Sequence, residues 1–207
     1  MNLRFEEEMK KEKRSRIIKE SLIFLAMALG VILLAWLIVT FCLQKVSVVG
    51  STMESTLYNG EDVIVNKTSY LLFSPKRESI IAFYPETEEG QEVSESSILI
   101  RRIVGLPGET IQVKEGRVYV NGQALEEKYN YEAMQAVGVA GDEIKLGEDE
   151  YFVLCDNRTD LDDSRSGSFT KVKKDNIVGK VLLRVSPFSM VGGPDIQETE
   201  PQEEESK

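Results

Sequence analysis

Ser97-Ile98-Leu99-Ile100-Arg101-Arg102-Ile103-Val104-Gly105-Leu106-Pro107-Gly108-Glu109 decides how this chain is read. An apolar run of this length, closed by Gly-Leu-Pro-Gly, is a strand entering a turn. Neighbouring stretches repeat the pattern. Asp62–Asn66, Ser79–Phe83, Ile111–Val113, Arg117–Val120, Tyr151–Cys155 and Ile177–Val185 each read as a short strand. Asn121-Gly122 after Val120 is a type I′ hairpin signal. Residues 44–190 show no long helical periodicity. The expected fold class is mostly β, with mixed and largely antiparallel sheets. Glu86–Ser96 reads as an acidic surface loop, and Glu126–Gly141, with Tyr129, Tyr131 and Met134, as a short helix or lid.

Upstream lies a different kind of segment. Leu22–Leu43, LIFLAMALGVILLAWLIVTFCL, carries no charged residue. At ~1.5 Å per residue it spans a hydrocarbon core of ~30 Å. It is longer than a signal-peptide core, and Leu43-Gln44-Lys45 offers no small-residue cleavage site, so it reads as an uncleaved anchor in the lipid bilayer. Arg4, Lys10, Lys11, Lys13, Arg14, Arg16 and Lys19 precede it, and only Lys45 follows closely. The positive-inside rule puts the N-terminus in the cytoplasm and the bulk of the chain outside the cell membrane. The expected division is a basic segment 1–20, a transmembrane helix 21–43, an exported β domain 44–190, and an acidic, disordered tail 191–207.

Composition narrows the chemistry. The net charge of -10 argues against nucleic acid as a partner. The chain has no histidine, which removes Ser-His-Asp and Cys-His catalysis and any histidine-bound metal. Cys42 and Cys155 are isolated, so neither a disulfide between them nor a metal site is expected. No cofactor is expected.

Two further stretches complete a pattern with Arg101–Glu109. They are Gly50-Ser51-Thr52-Met53-Glu54-Ser55-Thr56-Leu57 and Cys155-Asp156-Asn157-Arg158-Thr159-Asp160-Leu161-Asp162-Asp163-Ser164-Arg165. In this order, after one membrane helix, they resemble type I signal peptidase, whose members cut signal peptides with a serine nucleophile and a lysine base. The resemblance covers about residues 15–190. The first stretch is similar to Gly-x-Ser-Met-x-Pro-Thr-Leu, with Thr52 at the nucleophile position and Ser55 at the proline. The second is similar to Lys-Arg-x-x-Gly-Leu-Pro-Gly-Asp, with Arg101 at the base position. The third is similar to Gly-Asp-Asn-(x)4-Ser-x-Asp-Ser-Arg, with Leu161 where a serine would orient the lysine and Cys155 at the glycine. The resemblance also implies structural pairs, Arg102 with Asp156 and Asp163 with Arg165, beside Ser164. Val48, Val49, Gly50, Ser51 and Met53 would line the substrate cleft.

The chemistry of the departures gives two expectations. A lysine base works because burial lowers its pKa until it can accept a proton. Guanidinium, with a pKa above ~12, cannot. Arg101 is therefore expected to pair with a carboxylate or turn to solvent. Threonine can be a nucleophile, but its methyl restricts χ1. In an extended segment Ser51 would point away from Thr52, and Ser51 and Ser55 read as turn hydroxyls. The first expectation is a non-catalytic, membrane-anchored relative that binds exported proteins as added β-strands. Some signal-peptidase-like proteins of Gram-positive bacteria lack the dyad and assist assembly of surface pili, so the resemblance makes pilin-like proteins candidate partners. The alternative is an active signal peptidase I that removes signal peptides from preproteins with Thr52 or Ser51.

Overall fold

The computed structural model describes residues 3–85, 98–128, 134–167, 169–186 and 188–191. The Glu86–Ser96 loop, Tyr129, Tyr131 and the tail beyond Val191 lie outside the described residues. The chain divides into two compact units, Met1–Leu43 and Gln44–Lys207.

The first unit is one helix, α1 (Leu3–Cys42). Its stretch Arg16–Cys42, 27 residues, is long and apolar enough to cross a membrane, and none of its apolar window is buried inside the structure. Apolar residues on every face, with nothing of the protein covering them, suit lipid rather than a protein core. This is consistent with a single-pass membrane protein.

The second unit is mostly β and largely antiparallel, as the alternation of apolar residues predicts. Its strands are β1 (Leu43–Ser47), β2 (Asp62–Asn66), β3 (Ile80–Phe83), β4 (Leu99–Gly105), β5 (Thr110–Lys114) and β6 (Arg117–Val120). They continue as β7 (Gln123–Ala124), β8 (Ile144–Lys145), β9 (Glu150–Leu154), β10 (Val172–Lys173), β11 (Ile177–Arg184) and β12 (Ser189–Met190). A four-residue helix, α2 (Ser69–Leu72), follows β2. Among the described residues the larger sheet runs β1-β2-β11-β3-β4-β9-β10, with β12 beside β11. The smaller runs β7-β6-β5-β8.

β4 is central. Every residue from Ile100 to Gly105 is buried, because β3 and β9 flank it and side chains cover both faces. Ile100 joins a core with Met53, Leu57, Val63 and Val65. Ile103 joins another with Phe83, Tyr151 and Val153. Val104 joins a third, shared with the smaller sheet. At Gly105 the β4–β9 register shifts. A Cβ there would lie 2.8 Å from the side chains of Ile111 and Phe152, so only glycine lets the two sheets close.

The smaller sheet follows its turn chemistry. Asn121 and Gly122 have φ of 51° and 80°, the two positive values a type I′ turn needs, and Val120 pairs with Gln123 across them. Glu115 and Gly116 repeat this between β5 and β6. In the excursion after Glu126, Gly138–Gly141 is a short 3-10 turn.

One local expectation is overturned. Residues 51–57 are not extended but form consecutive turns. The amides of Glu54, Thr56 and Leu57 fold back onto the carbonyls of Ser51, Met53 and Met53. Burial of Met53 and Leu57 (both 0% exposed) draws the segment into the core and curls it.

Candidate active site

Three elements converge: the turns at 51–57, the middle of β4, and the 155–165 loop after β9. The loop holds itself first. Asp163 is fully buried and its carboxylate accepts the amides of Cys155 (3.0 Å) and Arg165 (2.9 Å). The Arg165 guanidinium returns to Asp163 at 2.7 Å and also donates to the carbonyls of Arg158, Asp160 and Ala136. Ser164 exchanges two hydrogen bonds with Val153 of β9. A buried cation and anion with this many partners are a scaffold, because removing either leaves the other unpaired.

β4 then sends adjacent arginines to opposite faces of the sheet. Arg102 is 4% exposed. It donates from Nε and Nη2 to the two oxygens of Asp156 (2.7 and 2.5 Å) and from Nη1 to the Glu78 carbonyl. Thr56 Oγ1 donates to the same Asp156 carboxylate at 2.7 Å. The pair therefore ties the turns at 51–57 to the loop. Asn157 adds two bonds, N–H to the Thr52 carbonyl (3.1 Å) and Nδ2 to the Ser51 carbonyl (3.2 Å).

Arg101 is 2% exposed and takes the paired arrangement. Its Nη2 lies 2.6 Å from Asp162 Oδ2, its Nε 2.6 Å from the Asp162 carbonyl, and its Nη1 2.6 Å from the Ile100 carbonyl. Cys155 sits beside it, with Sγ 3.4 Å from the Asp162 carbonyl. Burial pushes the Cys155 thiol well above the usual range, and the nearby Arg101 charge only partly opposes this.

The remaining candidates scatter. Thr52 is half-buried, and among the described residues its bonds are made by its carbonyl. Leu161 is 38% exposed. Of the cleft candidates, Val49, Gly50 and Ser51 are exposed, whereas Val48 and Met53 are core residues. Among the described residues no cluster of acidic or cysteine side chains could hold a metal.

The family described as signal peptidase, peptidase S26, matches residues 19–186. Over 161 residues the chain is 36% identical to the probable signal peptidase I-2 of Synechocystis sp., covering 78% of this chain and 71% of that protein. Over 162 residues it is 38% identical to the signal peptidase I of Leptolyngbya laminosa, covering 78% and 77%. The chain belongs to the signal peptidase family. A crystal structure of a signal peptidase I from Enterococcus faecalis is 32% identical over 52% of this chain and 97% of that one, with a TM-score of 0.37.

Within this signal peptidase family chain, the resemblance implied the Arg102–Asp156 and Asp163–Arg165 pairs, and both are present. Sequence reasoning expected a carboxylate for Arg101 without naming Asp162. The acidic run Asp160-Leu161-Asp162-Asp163 was the available signal. It missed the Arg158–Glu127 pair, buried on both sides (0% and 2% exposed side chains), which fastens the loop to the segment leading out of β7. It also missed Glu109. This carboxylate caps the Gly-Leu-Pro-Gly turn through the Leu106 amide (2.7 Å) and meets Arg77 at 2.5 Å.

Ser55 has a left-handed backbone. Its φ is 88°. Proline, fixed near φ ≈ −65°, cannot take that value. The turn carrying Thr52 is thus bent at Ser55 into the left-handed region.

Proposed function

We propose that this membrane-anchored member of the signal peptidase family acts on exported proteins at the outer face of the membrane, and that it holds extended segments of them without cutting. Thr52, Arg101 and Leu161 would stand at the nucleophile, base and base-orienting positions, and Val49, Gly50 and Ser51 at the accessible rim of the cleft. The observation that carries this reading is the Arg101–Asp162 contact. Its guanidinium is buried, paired and spread over three acceptors. A group of this kind neither accepts a proton at neutral pH nor moves toward Thr52 without abandoning those bonds. The scaffold that would shape a binding cleft is meanwhile retained through Arg102, Asp156, Asp163, Ser164 and Arg165. The basic residues before the span support a cytoplasmic N-terminus. A surface protein such as a pilin is a partner of the right kind for a cleft that adds an extended strand.

The relatives' names favour a second reading. They are signal peptidases I over most of this chain's length. On that reading the chain removes signal peptides from preproteins, with Thr52 or Ser51 as nucleophile and a base other than Arg101.

One experiment separates the two. Purified full-length protein in detergent is incubated with a model preprotein bearing a small-x-small site, beside a variant carrying Thr52→Ser, Arg101→Lys and Leu161→Ser. Binding of the uncleaved preprotein is measured in parallel. Binding without cleavage by the natural chain supports the first reading. Cleavage by the natural chain supports the second and refutes the first. Neither binding nor cleavage refutes both for that substrate class.

A further inference from the structure

We propose that Asn157 is a positioning residue for peptide binding. From the 155–165 loop it fixes the Ser51 and Thr52 carbonyls, and through them the rim Val49–Ser51 that an extended segment would meet. The role rests on the proposed reading of that rim as the accessible edge of the cleft.

Asn157 engages both ends of its side chain and both groups of its backbone. Its N–H donates to the Thr52 carbonyl (3.1 Å) and its Nδ2 to the Ser51 carbonyl (3.2 Å). Its Oδ1 accepts the Thr159 hydroxyl (2.6 Å) and the Thr159 amide (3.3 Å). Its carbonyl accepts the Asp160 amide (3.1 Å). These partners leave the side-chain amide one orientation. Reversed, it would set its NH2 group against the Thr159 amide and its oxygen against the Ser51 carbonyl. The position therefore needs a side chain that accepts at one end and donates at the other, and asparagine is the residue of this length that does both.

The rim depends on this contact. The far end of the turn is tied inward, through Thr56 to Asp156 and so to Arg102. At the near end, the Gly50 amide donates to Asn59 Oδ1 (3.0 Å) and the Ser51 carbonyl also accepts the Glu54 amide (3.1 Å). Both of those partners belong to the same stretch of chain. Among the described residues, Asn157 is what joins Ser51 and Thr52 to a different element. Val49 is 84% exposed, and Gly50 and Ser51 are exposed beside it, so the rim has no packing of its own to hold it. A rim fixed before the peptide arrives spares the complex the cost of ordering it.

The test uses purified full-length protein in detergent and a fluorescent peptide spanning the small-x-small site of the model preprotein, with affinity read from anisotropy. Asn157→Asp keeps the acceptor for Thr159 and the backbone bond to Thr52, but sets a second oxygen against the Ser51 carbonyl. Its affinity at pH ~7.5 should fall about fivefold or more. Lower pH returns a proton to that carboxyl, which can then donate to Ser51. The facing carbonyl favours the protonated form, so this carboxyl should titrate above the ordinary ~3.9. Its deficit against the natural chain at the same pH should close to within about twofold by pH ~4.5. Asn157→Ala, with no proton to regain, should stay weak at both. Glu127→Gln weakens the hold on the same loop at Arg158 without touching Ser51, and should bind as the natural chain does. A merely structural role would give an Asn157→Asp deficit independent of pH and an equal loss in Glu127→Gln. Either result, or undiminished affinity in Asn157→Asp at pH ~7.5, overturns the proposal and leaves the cleft reading standing. No binding by the natural chain removes the cleft reading and the role of Asn157 with it.

Discussion

Arg101 Nη2 and Asp162 Oδ2 stand 2.6 Å apart, with the arginine side chain 3% exposed and the aspartate side chain 52% exposed. The asymmetry sets what each partner is worth. Asp162→Ala leaves a buried guanidinium short of its anion. Arg101→Met leaves a carboxylate that water can solvate. Loss of the acid should cost about 1–3 kcal/mol, and the Arg101→Met change less, because the buried charge goes with it. Denaturant unfolding of both variants in detergent checks the order. Equal or reversed costs would mean that Arg101 is not held by Asp162.

Asp156 joins two elements, so its loss should be felt at both. Asp156→Ala strips Arg102 of its carboxylate and Thr56 of its acceptor. A cost of about 3–5 kcal/mol is expected for breaking this buried pair. Thr56→Ala should cost about 1 kcal/mol, and less again when Asp156 is already absent. A double-mutant cycle reads the coupling. Strict additivity would show that Thr56 and Asp156 act independently.

The turn bearing Thr52 should reject proline at position 55. Ser55 sits at φ 88°. Ser55→Pro forces residue 55 back toward φ ≈ −65° and should destabilise by more than ~1 kcal/mol. Ser55→Gly, which keeps the left-handed region open, should be tolerated. Thermal unfolding in detergent distinguishes them. A proline variant as stable as the glycine one would mean that the turn can adopt the other bend.

Most of the strand positions were legible in the sequence because each strand carried its own alternation and its own punctuation. Asp62–Asn66 and Arg117–Val120 fall where the pattern puts them. Both residues of Asn121-Gly122 take the positive φ that the dipeptide favours. What stayed hidden had no local signal. β1 has the sequence Leu-Gln-Lys-Val-Ser, which continues from an apolar helix without a turn residue and becomes a strand only by pairing with β2. Ser51–Leu57 contains no glycine or proline, so its curl depends on burial of Met53 and Leu57 in a core assembled from distant strands. At the site, the family resemblance implied the Arg102–Asp156 and Asp163–Arg165 pairs. The choice of Asp162 over Asp160 for Arg101 depends on the path of the 155–165 loop. Asp163 and Arg165 set that path through bonds to Cys155, Arg158 and Ala136.

Cys155 gives a pH-dependent signature of the same region. Burial raises its thiol pKa in the folded chain, with the Arg101 charge partly opposing the rise. The folded state therefore keeps its proton while the unfolded chain ionises near pH ~8.5. A raised folded pKa means that the stability contribution is complete below the unfolded value and is lost as pH climbs above it. By pH 9.5 the natural chain should have lost about 1.4 kcal/mol that a Cys155→Ala variant does not lose. Denaturant unfolding of the two proteins at pH 7.5 and 9.5, each carrying Cys42→Ser, measures the difference. The same burial should leave Cys155 unmodified by iodoacetamide at pH 8 until the chain is unfolded. Rapid alkylation of the folded protein, or parallel loss of stability in both proteins, would place the thiol in contact with solvent and remove Cys155 from the packing around Arg101.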